Sequence, residues 1–246
     1  MGKGIFVTAT STGVGKTTVV CGILHSLRKR GIDAAAFKPI ETGANDIKVL
    51  SKDSDAGKIA LTLEAGLNNP HEFSMYRLRQ PLAPFYAARY EHKTISVSKI
   101  YRRIFKIKEE KAILIVEGSG GIRVPITEKY DMIDLIKKTG FPVIVVSDIE
   151  LGTINHTAMS AEILRNNGVR VVGAIYVERK EDGIEIAKKN NAEWIKNLYK
   201  IPVLGIIKYK RVFKQMKLEN QNEWTNKHID VDLILREAFY GNDIEK

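Results

Sequence analysis

One cysteine, Cys21, stands among the 246 residues of this chain, so no disulfide can form within it and a disulfide-stapled secreted scaffold is excluded. Cys21 falls in an apolar run with helical spacing, which reads as a small core residue rather than a nucleophile. No apolar stretch approaches the roughly 20 residues that span a bilayer, so no transmembrane helix is expected. The N-terminus leads straight into a strand, so no secretory signal is expected either. A reducing, cytoplasmic setting follows as the expectation. Hydrophobic residues at 44% and charged residues at 28% exclude a disordered chain, and no linker, repeat or low-complexity segment interrupts the pattern. Acidic residues are in deficit: 29 Asp and Glu against 39 Lys and Arg, a net charge of +10. That balance suits anionic ligands, with nucleic acid the lesser alternative. The lysines are scattered, in pairs such as Lys137-Lys138 and Lys188-Lys189 and in a stretch from Lys208 to Lys217. Scattered lysines read as a solvated face, and neither a nucleic-acid site nor a membrane site is inferred from them.

What is present is concentrated first in residues 4–18. Ile5-Phe6-Val7 is a short β-branched and aromatic run that reads as a buried strand. A turn bearing Gly13 and Gly15 follows, and Lys16-Thr17-Thr18 opens an amphipathic run through Val19, Val20, Ile23, Leu24 and Leu27. Strand, glycine turn and helix start are the context a phosphate-binding loop requires. The backbone N–H groups of residues 13–18 and the positive end of the helix dipole would face the phosphates. Lys16 would reach the outer phosphates, and the Thr17 hydroxyl would face Mg²⁺. The first glycine of the usual G-x-x-x-x-G-K-[ST] pattern is missing, because Thr10 occupies its place. The agreement of the other parts still predicts that a nucleoside triphosphate binds here.

Along the chain, Gly31 is a plausible C-cap, and residues 34–37 predict a strand ending at Lys38-Pro39-Ile40-Glu41-Thr42-Gly43. Polar residues just beyond a strand's C-terminal end sit where open α/β sheets hold ligands. A helix is predicted from Ser54-Asp55-Ala56 to about Gly66, with Asp55 readable as no more than a first-turn carboxylate favoured by the dipole. Pro81-Leu82-Ala83-Pro84 precedes a helix over 85–90, and a basic helix covers about 97–108. Residues 112–116 predict the clearest buried strand, ending in Glu117-Gly118-Ser119-Gly120-Gly121. Glu117 there is either a second acidic group for Mg²⁺ or a surface residue on a glycine turn. Helix 131–139, strand 142–147, helix 155–167, strand 169–177, helix 183–198 and strand 203–207 follow. The last forty residues are polar and close with an amphipathic helix through Val231, Leu233, Ile234, Leu235 and Phe239. This alternation predicts a single α/β domain with a doubly wound, mainly parallel sheet of P-loop type, residues 211–246 forming a C-terminal extension.

Seven motifs in this order resemble the dethiobiotin synthetase family. They are the loop T-x-T-x-x-G-K-T, Lys-Pro-x-x-Thr-Gly at 38–43, Ser-Asp-Ala at 54–56 and Pro-Leu-Ala-Pro at 81–84. Glu-Gly-x-Gly-Gly at 117–121, Leu-Gly-x-Ile-Asn-His at 151–156 and Ile-Pro-Val-Leu-Gly at 201–205 complete the set. The resemblance covers residues 1–207. It implies an ATP-dependent cyclo-ligase that joins 7,8-diaminononanoate and CO₂ or bicarbonate into dethiobiotin, releasing ADP and phosphate. It further implies that Thr12, Gly13, Val14, Gly15, Lys16, Thr17 and Thr18 hold the triphosphate, with Gly118, Ser119 and Gly120 lining the same site. Thr17, Asp55 and Glu117 would surround Mg²⁺, and Lys38 with Lys16 would serve the chemistry. Thr42 would contact substrate. Leu151, Gly152 and Asn155 match positions that complete the substrate pocket of a neighbouring subunit, so a homodimer is implied. Val177, Glu178, Lys208 and Tyr209 match the turns around the base.

The chain departs from the family pattern at several points. Ala9 and Ser11 stand where Gly and Asp are usual, and Phe85 replaces a frequent His. Val177 replaces an Asn that reads adenine, and Lys208 replaces a proline. These departures bear on the base pocket and leave the phosphate end of the loop intact. The competing reading is a partition or septum-site switch ATPase, whose loop also ends Gly-Val-Gly-Lys-Thr-Thr. That class carries a signature lysine where this chain has Ser11. An amidotransferase-type synthetase would need a glutaminase domain with a nucleophilic cysteine, for which the chain is too short.

Overall fold

A computed structural model describes residues 2–179 and 185–240. In chain order, the first half comprises β1 (Lys3–Ala9), α1 (Lys16–Lys29), β2 (Ala34–Phe37), β3 (Ile40–Thr42), α2 (Asp55–Thr62), α3 (Pro70–Phe73), β4 (Tyr76–Leu78), α4 (Pro84–Tyr90) and α5 (Val97–Glu110). The second half comprises β5 (Ile113–Gly121), β6 (Pro125–Thr127), β7 (Tyr130–Asp131), α6 (Met132–Thr139), β8 (Val143–Asp148), α7 (Thr153–Asn166), β9 (Val171–Val177), α8 (Glu185–Tyr199), β10 (Val203–Ile207), α9 (Leu218–Asn226) and α10 (Val231–Phe239). Residues 183 and 184, where the α8 helix is predicted to begin, lie outside the described residues.

Six strands form one parallel sheet in the order β2-β5-β1-β8-β9-β10. The predicted doubly wound sheet is therefore observed. Its strands are apolar on both faces, as parallel strands covered by helices must be. The two-residue period sorts the core. Ile5, Val7, Ile113, Ile115, Ile144 and Val146 point to the side of α1, α2 and α10. Phe6, Leu114, Val116, Val143 and Val145 point to the side of α5 and α6. β1 lies between β5 and β8, while the chain leaving α1 crosses to β2 at the far edge. The β1–α1 turn therefore opens at the point where strand order reverses, the crevice where such sheets bind ligands.

Several boundaries differ from the sequence expectation for identifiable reasons. Glu117 is not past the end of β5 but inside it, paired opposite Val7 of β1, and the ladder runs on to Ala9↔Gly121 after a register shift. Glycine permits this close approach: a Cβ on Gly118 would lie 3.0 Å from Phe6 Cε1. α2 stops at Thr62 rather than continuing to Gly66, and Glu64 beyond it takes a positive φ of 56°. α7 begins at Thr153, directly after Gly152 at φ 95°, which places Asn155 in its first turn. The two-stranded pair β3–β4, the β6–β7 hairpin and α9 have no counterpart in the expected elements.

The C-terminal segment joins the main core. Val231, Ile234 and Ala238 of α10 are buried with the residues of α1 and β1. α9 lies against α1 so closely that a Cβ on Gly22 would approach Thr225 Cγ2 to 2.5 Å. Among the described residues no helix is long and apolar enough to cross a membrane.

Candidate active site

The phosphate loop is built from β1 outward. β1 ends buried at Ala9, Thr10 N–H donates to Val146 O at 3.0 Å, and the Thr10 hydroxyl bonds to Ser147 Oγ at 2.9 Å. Gly13 and Gly15 adopt φ of 75° and 109°, conformations that favour glycine, and Gly15 is the residue at which α1 starts. No side chain caps α1 and no acidic residue sits in its first turn, so its leading N–H groups are left for an anion.

Three distant segments bring charge to this turn. Lys38, just beyond β2, has its Nζ 2.5 Å from Glu117 Oε1 and 2.7 Å from Asp55 Oδ2. Thr17 Oγ1 donates to the same Glu117 Oε1 at 2.8 Å. Glu117 reaches the loop because the odd residues of β5 face α1. Asp55 reaches it as the first residue of α2, whose start is capped by Ser54 Oγ accepting the Gly57 N–H at 3.1 Å.

Burial sets the protonation of this cluster. It lowers Lys16 to about 8, helped by the like charge of Lys38. Burial also works against the Lys38 ammonium, but Glu117 and Asp55 outweigh it and hold its pKa above the usual lysine value. For Asp55 burial is again opposed, and Lys38 holds the carboxyl at about 2. Glu117 is wholly buried and is pushed up by that burial, with Lys38 countering. Cys21 plays no part: burial pushes its thiol up to about 12, leaving it inert.

A cavity of about 270 Å³ over the loop is lined by Thr12, Gly13, Gly15, Lys16, Thr17, Thr18, Lys38, Thr42, Asp55, Glu117, Ser119 and Gly120. The sequence-predicted phosphate, metal and catalytic positions thus converge on one space. Val14 lies buried beneath it and Gly118 packs against Phe6, so neither side lines the cavity. An adjoining cavity of about 710 Å³ is lined by Gly13, Thr18, Val177, Glu178, Lys208 and Tyr209 among others, which unites the predicted base-side residues. Val177 packs on the loop, 3.2 Å from where a Gly15 Cβ would stand, and Glu178 Oε2 accepts the Tyr209 N–H at 3.1 Å. Leu151, Gly152 and Asn155 line neither cavity, and Leu151 is 97% exposed.

The sequence reading missed Lys58, which lines both cavities. Its signal was available: three residues after Asp55 on a helix, it shares that residue's face. It also missed the buried ion pair of Glu41 with Arg77, for which the sequence carries no local cue.

The donor set fits magnesium. Thr17, Asp55 and Glu117 are hard oxygen donors, and Glu117 Oε2 is buried with no hydrogen-bond partner. Among the described residues no group of three or more His, Cys, Asp or Glu side chains converges to hold a metal by itself. Magnesium typically takes one or two carboxylates and completes its shell with water and nucleotide phosphates.

A parallel sheet with this loop at its switch point, and a carboxylate from the adjoining strand bonded to the loop threonine, define a P-loop nucleotide-binding protein. Solved structures agree on the fold. The MinC:MinD cell division complex of Aquifex aeolicus aligns over 96% of this chain and 95% of its own with TM-score 0.59 at 17% identity. The cell division ATPase MinD of Pyrococcus furiosus gives 0.57 at 14% identity, over 97% of each chain. At such identities the likeness concerns the fold alone. In sequence, a family described as an AAA domain matches residues 3–217. The ATP-dependent dethiobiotin synthetase of Bacillus velezensis is 36% identical over 95% of this chain and 97% of its own. That of Thermodesulfovibrio yellowstonii is 34% identical over 96% and 99%. That of Methanococcus vannielii is 40% identical over 70% of this chain and 77% of its own. The chain belongs to the dethiobiotin synthetase family, and these relatives favour that reading over the septum-site switch.

Proposed function

We propose that this protein carries out the family reaction: 7,8-diaminononanoate, CO₂ and ATP give dethiobiotin, ADP and phosphate in biotin synthesis. The observation that carries the reading is the Lys38–Glu117–Thr17 cluster at the mouth of the phosphate loop, in a chain of this family. One substrate amine adds to CO₂ and loses a proton, giving a carbamate. A carbamate oxygen then attacks the γ-phosphorus and ADP leaves. The second amine attacks the carbamoyl carbon of that mixed anhydride, expelling phosphate and closing the cyclic urea. No nucleophilic side chain is needed, so the protein's work is positioning and neutralising charge.

The loop amides and Lys16 bind the triphosphate. Lys38 is held charged by two carboxylates and faces the space shared with Thr42, where it neutralises the carbamate and the transferring phosphoryl. Thr17, Asp55 and Glu117 would hold Mg²⁺, which when bound neutralises charge on the β- and γ-phosphates. The working unit is a homodimer, in which Leu151, Gly152 and Asn155 of one subunit close the substrate pocket of the other. The near-complete exposure of Leu151, an apolar residue just before the start of α7, supports an interface of that kind. The direct test is to incubate the protein with ATP, Mg²⁺, bicarbonate and 7,8-diaminononanoate and weigh the product. Dethiobiotin is expected, and its absence alongside DNA- or membrane-stimulated ATP hydrolysis would overturn the reading in favour of a switch ATPase.

A further inference from the structure

Glu41 and Arg77 form a buried ion pair that touches none of the reacting groups. Their positions face each other across the parallel pair β3–β4, and both side chains are almost wholly buried. Arg77 Nε donates to Glu41 Oε2 at 3.0 Å, and Arg77 Nη1 donates to Val49 O at 3.0 Å. The other Glu41 oxygen, Oε1, accepts the backbone N–H of Ala56 at 3.2 Å. Ala56 follows Asp55, and its N–H is one of the first-turn donors that an α-helix leaves without an internal partner. Ser54 satisfies the next donor, that of Gly57. Glu41 thus ties the start of α2 to the β3–β4 pair through a hydrogen bond, one residue from Thr42 and one residue from the backbone of Asp55.

The placement matters because Asp55 must present its carboxylate at one spot. Asp55 is half-exposed and reaches Lys38 Nζ at 2.7 Å from the first position of a two-turn helix. Such a short helix has little stability of its own. Its entry point is set by whatever holds the leading amides, and a shift of about 1 Å is enough to lose a charged contact of this length. A carboxylate in this place is also favoured by the positive end of the α2 dipole. An apolar residue at position 41 would supply neither the bond nor the charge.

We propose that Glu41 is a positioning residue: through the Ala56 amide it sets α2 so that Asp55 meets Lys38 and the phosphate site, while Arg77 balances the charge of the buried Glu41 carboxylate. The kinetic part rests on the carboxylase-cyclase reading, and the structural part does not.

The test separates the hydrogen bond from the buried charge. Arg77→Met with Glu41→Gln removes both charges and keeps an acceptor for Ala56. Arg77→Met with Glu41→Met removes the acceptor as well and leaves no buried charge unpaired, so both pairs are expected to fold. Crystal structures of the two read the Asp55–Lys38 contact without any need for turnover. The Gln pair is expected to keep it within hydrogen-bond length and the Met pair to lose it. In dethiobiotin formation the Gln pair should stay within about threefold of wild type and the Met pair fall about tenfold in kcat. Added to Asp55→Asn, the Met pair should cost nothing further, because the path through Asp55 is already cut. An Asp55–Lys38 contact unchanged in the Met pair, or losses that multiply in the Asp55→Asn background, would overturn the proposal. A wild-type protein that makes no dethiobiotin would count against the reaction, while the crystal contact would still decide the positioning role.

Discussion

Lys38 and Glu117 meet at 2.5 Å with both side chains buried, and Asp55 closes on the same ammonium from a third segment. A buried ion pair is a poor source of stability, because desolvating two charges offsets their attraction. Removing one partner is a different matter, since it strands the other charge. The cluster therefore reads as a device for holding a cation beside a phosphate site, maintained at some cost to the fold.

Lys38→Met should destabilise the protein by up to about 3–5 kcal/mol, the range for stranding a buried charge. Adding Glu117→Gln should recover much of that loss, because the stranded carboxylate is then gone. Denaturant midpoints of the two variants check it. Turnover should fall by about 10² or more in both, since neither restores the cation facing developing negative charge.

Lys16→Ala should abolish turnover chiefly through phosphate binding. Lys16 also predicts a proton uptake. In the free protein its pKa is about 8, so at pH 9 it is mostly neutral. A triphosphate favours the ammonium and raises that pKa, so ATP binding at pH 9 should take up a proton, and affinity should fall as pH rises above 8. Calorimetry in buffers of different ionisation enthalpy counts the proton, and Lys16→Met should abolish the uptake. The same group affects stability with the opposite sign. Between about pH 8 and 10.5 the unfolded chain binds more protons at this position than the folded one, so its contribution rises with pH.

Base selectivity should be weak. A carboxamide both donates to and accepts from the edge of adenine, and Val177 does neither. Glu178 accepts the Tyr209 N–H and cannot donate when ionised. GTP or CTP should therefore support turnover within about tenfold of ATP, a gap of roughly 1.4 kcal/mol. Comparing kcat/KM for the four nucleotides at fixed Mg²⁺ tests this, and a thousandfold preference for ATP would assign the reading of the base to another residue near Lys208.

Asn155→Ala should weaken diamine binding and leave ATP binding unchanged. Heterodimers of Asn155→Ala with Lys38→Ala should regain activity, because one of the two composite sites would be whole. No recovery in verified heterodimers would mean that each site is built within one chain.

Gly22→Ala should loosen the contact of α1 with α9. The new methyl would stand 2.5 Å from Thr225 Cγ2, and overpacking of this kind costs about 1–3 kcal/mol. Urea denaturation measures it, and an unchanged midpoint would show that α9 shifts freely to make room.

The phosphate loop and the strands on either side of it were legible in the sequence because their physics is local. Residues 4–18 hold a strand, the two glycines with positive φ, and a helix whose leading amides no side chain caps. The buried strands announce themselves as apolar runs for the same reason: both faces of a parallel sheet are covered. Motif order also singled out Lys38, Asp55 and Glu117 as candidates.

Only the tertiary structure decided how those candidates meet. Lys38 and Glu117 are 79 residues apart, and their contact depends on β2 and β5 being neighbours and on the parity that turns Glu117 toward α1. Arg77 and Glu41 have no sequence signature as a pair, since their alignment follows from the register of β3 on β4. α9 was illegible for another reason. It buries Asn222 and Thr225 rather than an apolar stripe, and Asn222 is satisfied by a hydrogen bond to Thr62 at 3.0 Å. A helix docked through polar groups shows no hydrophobic period, because burial there depends on partners that arrive from elsewhere in the chain.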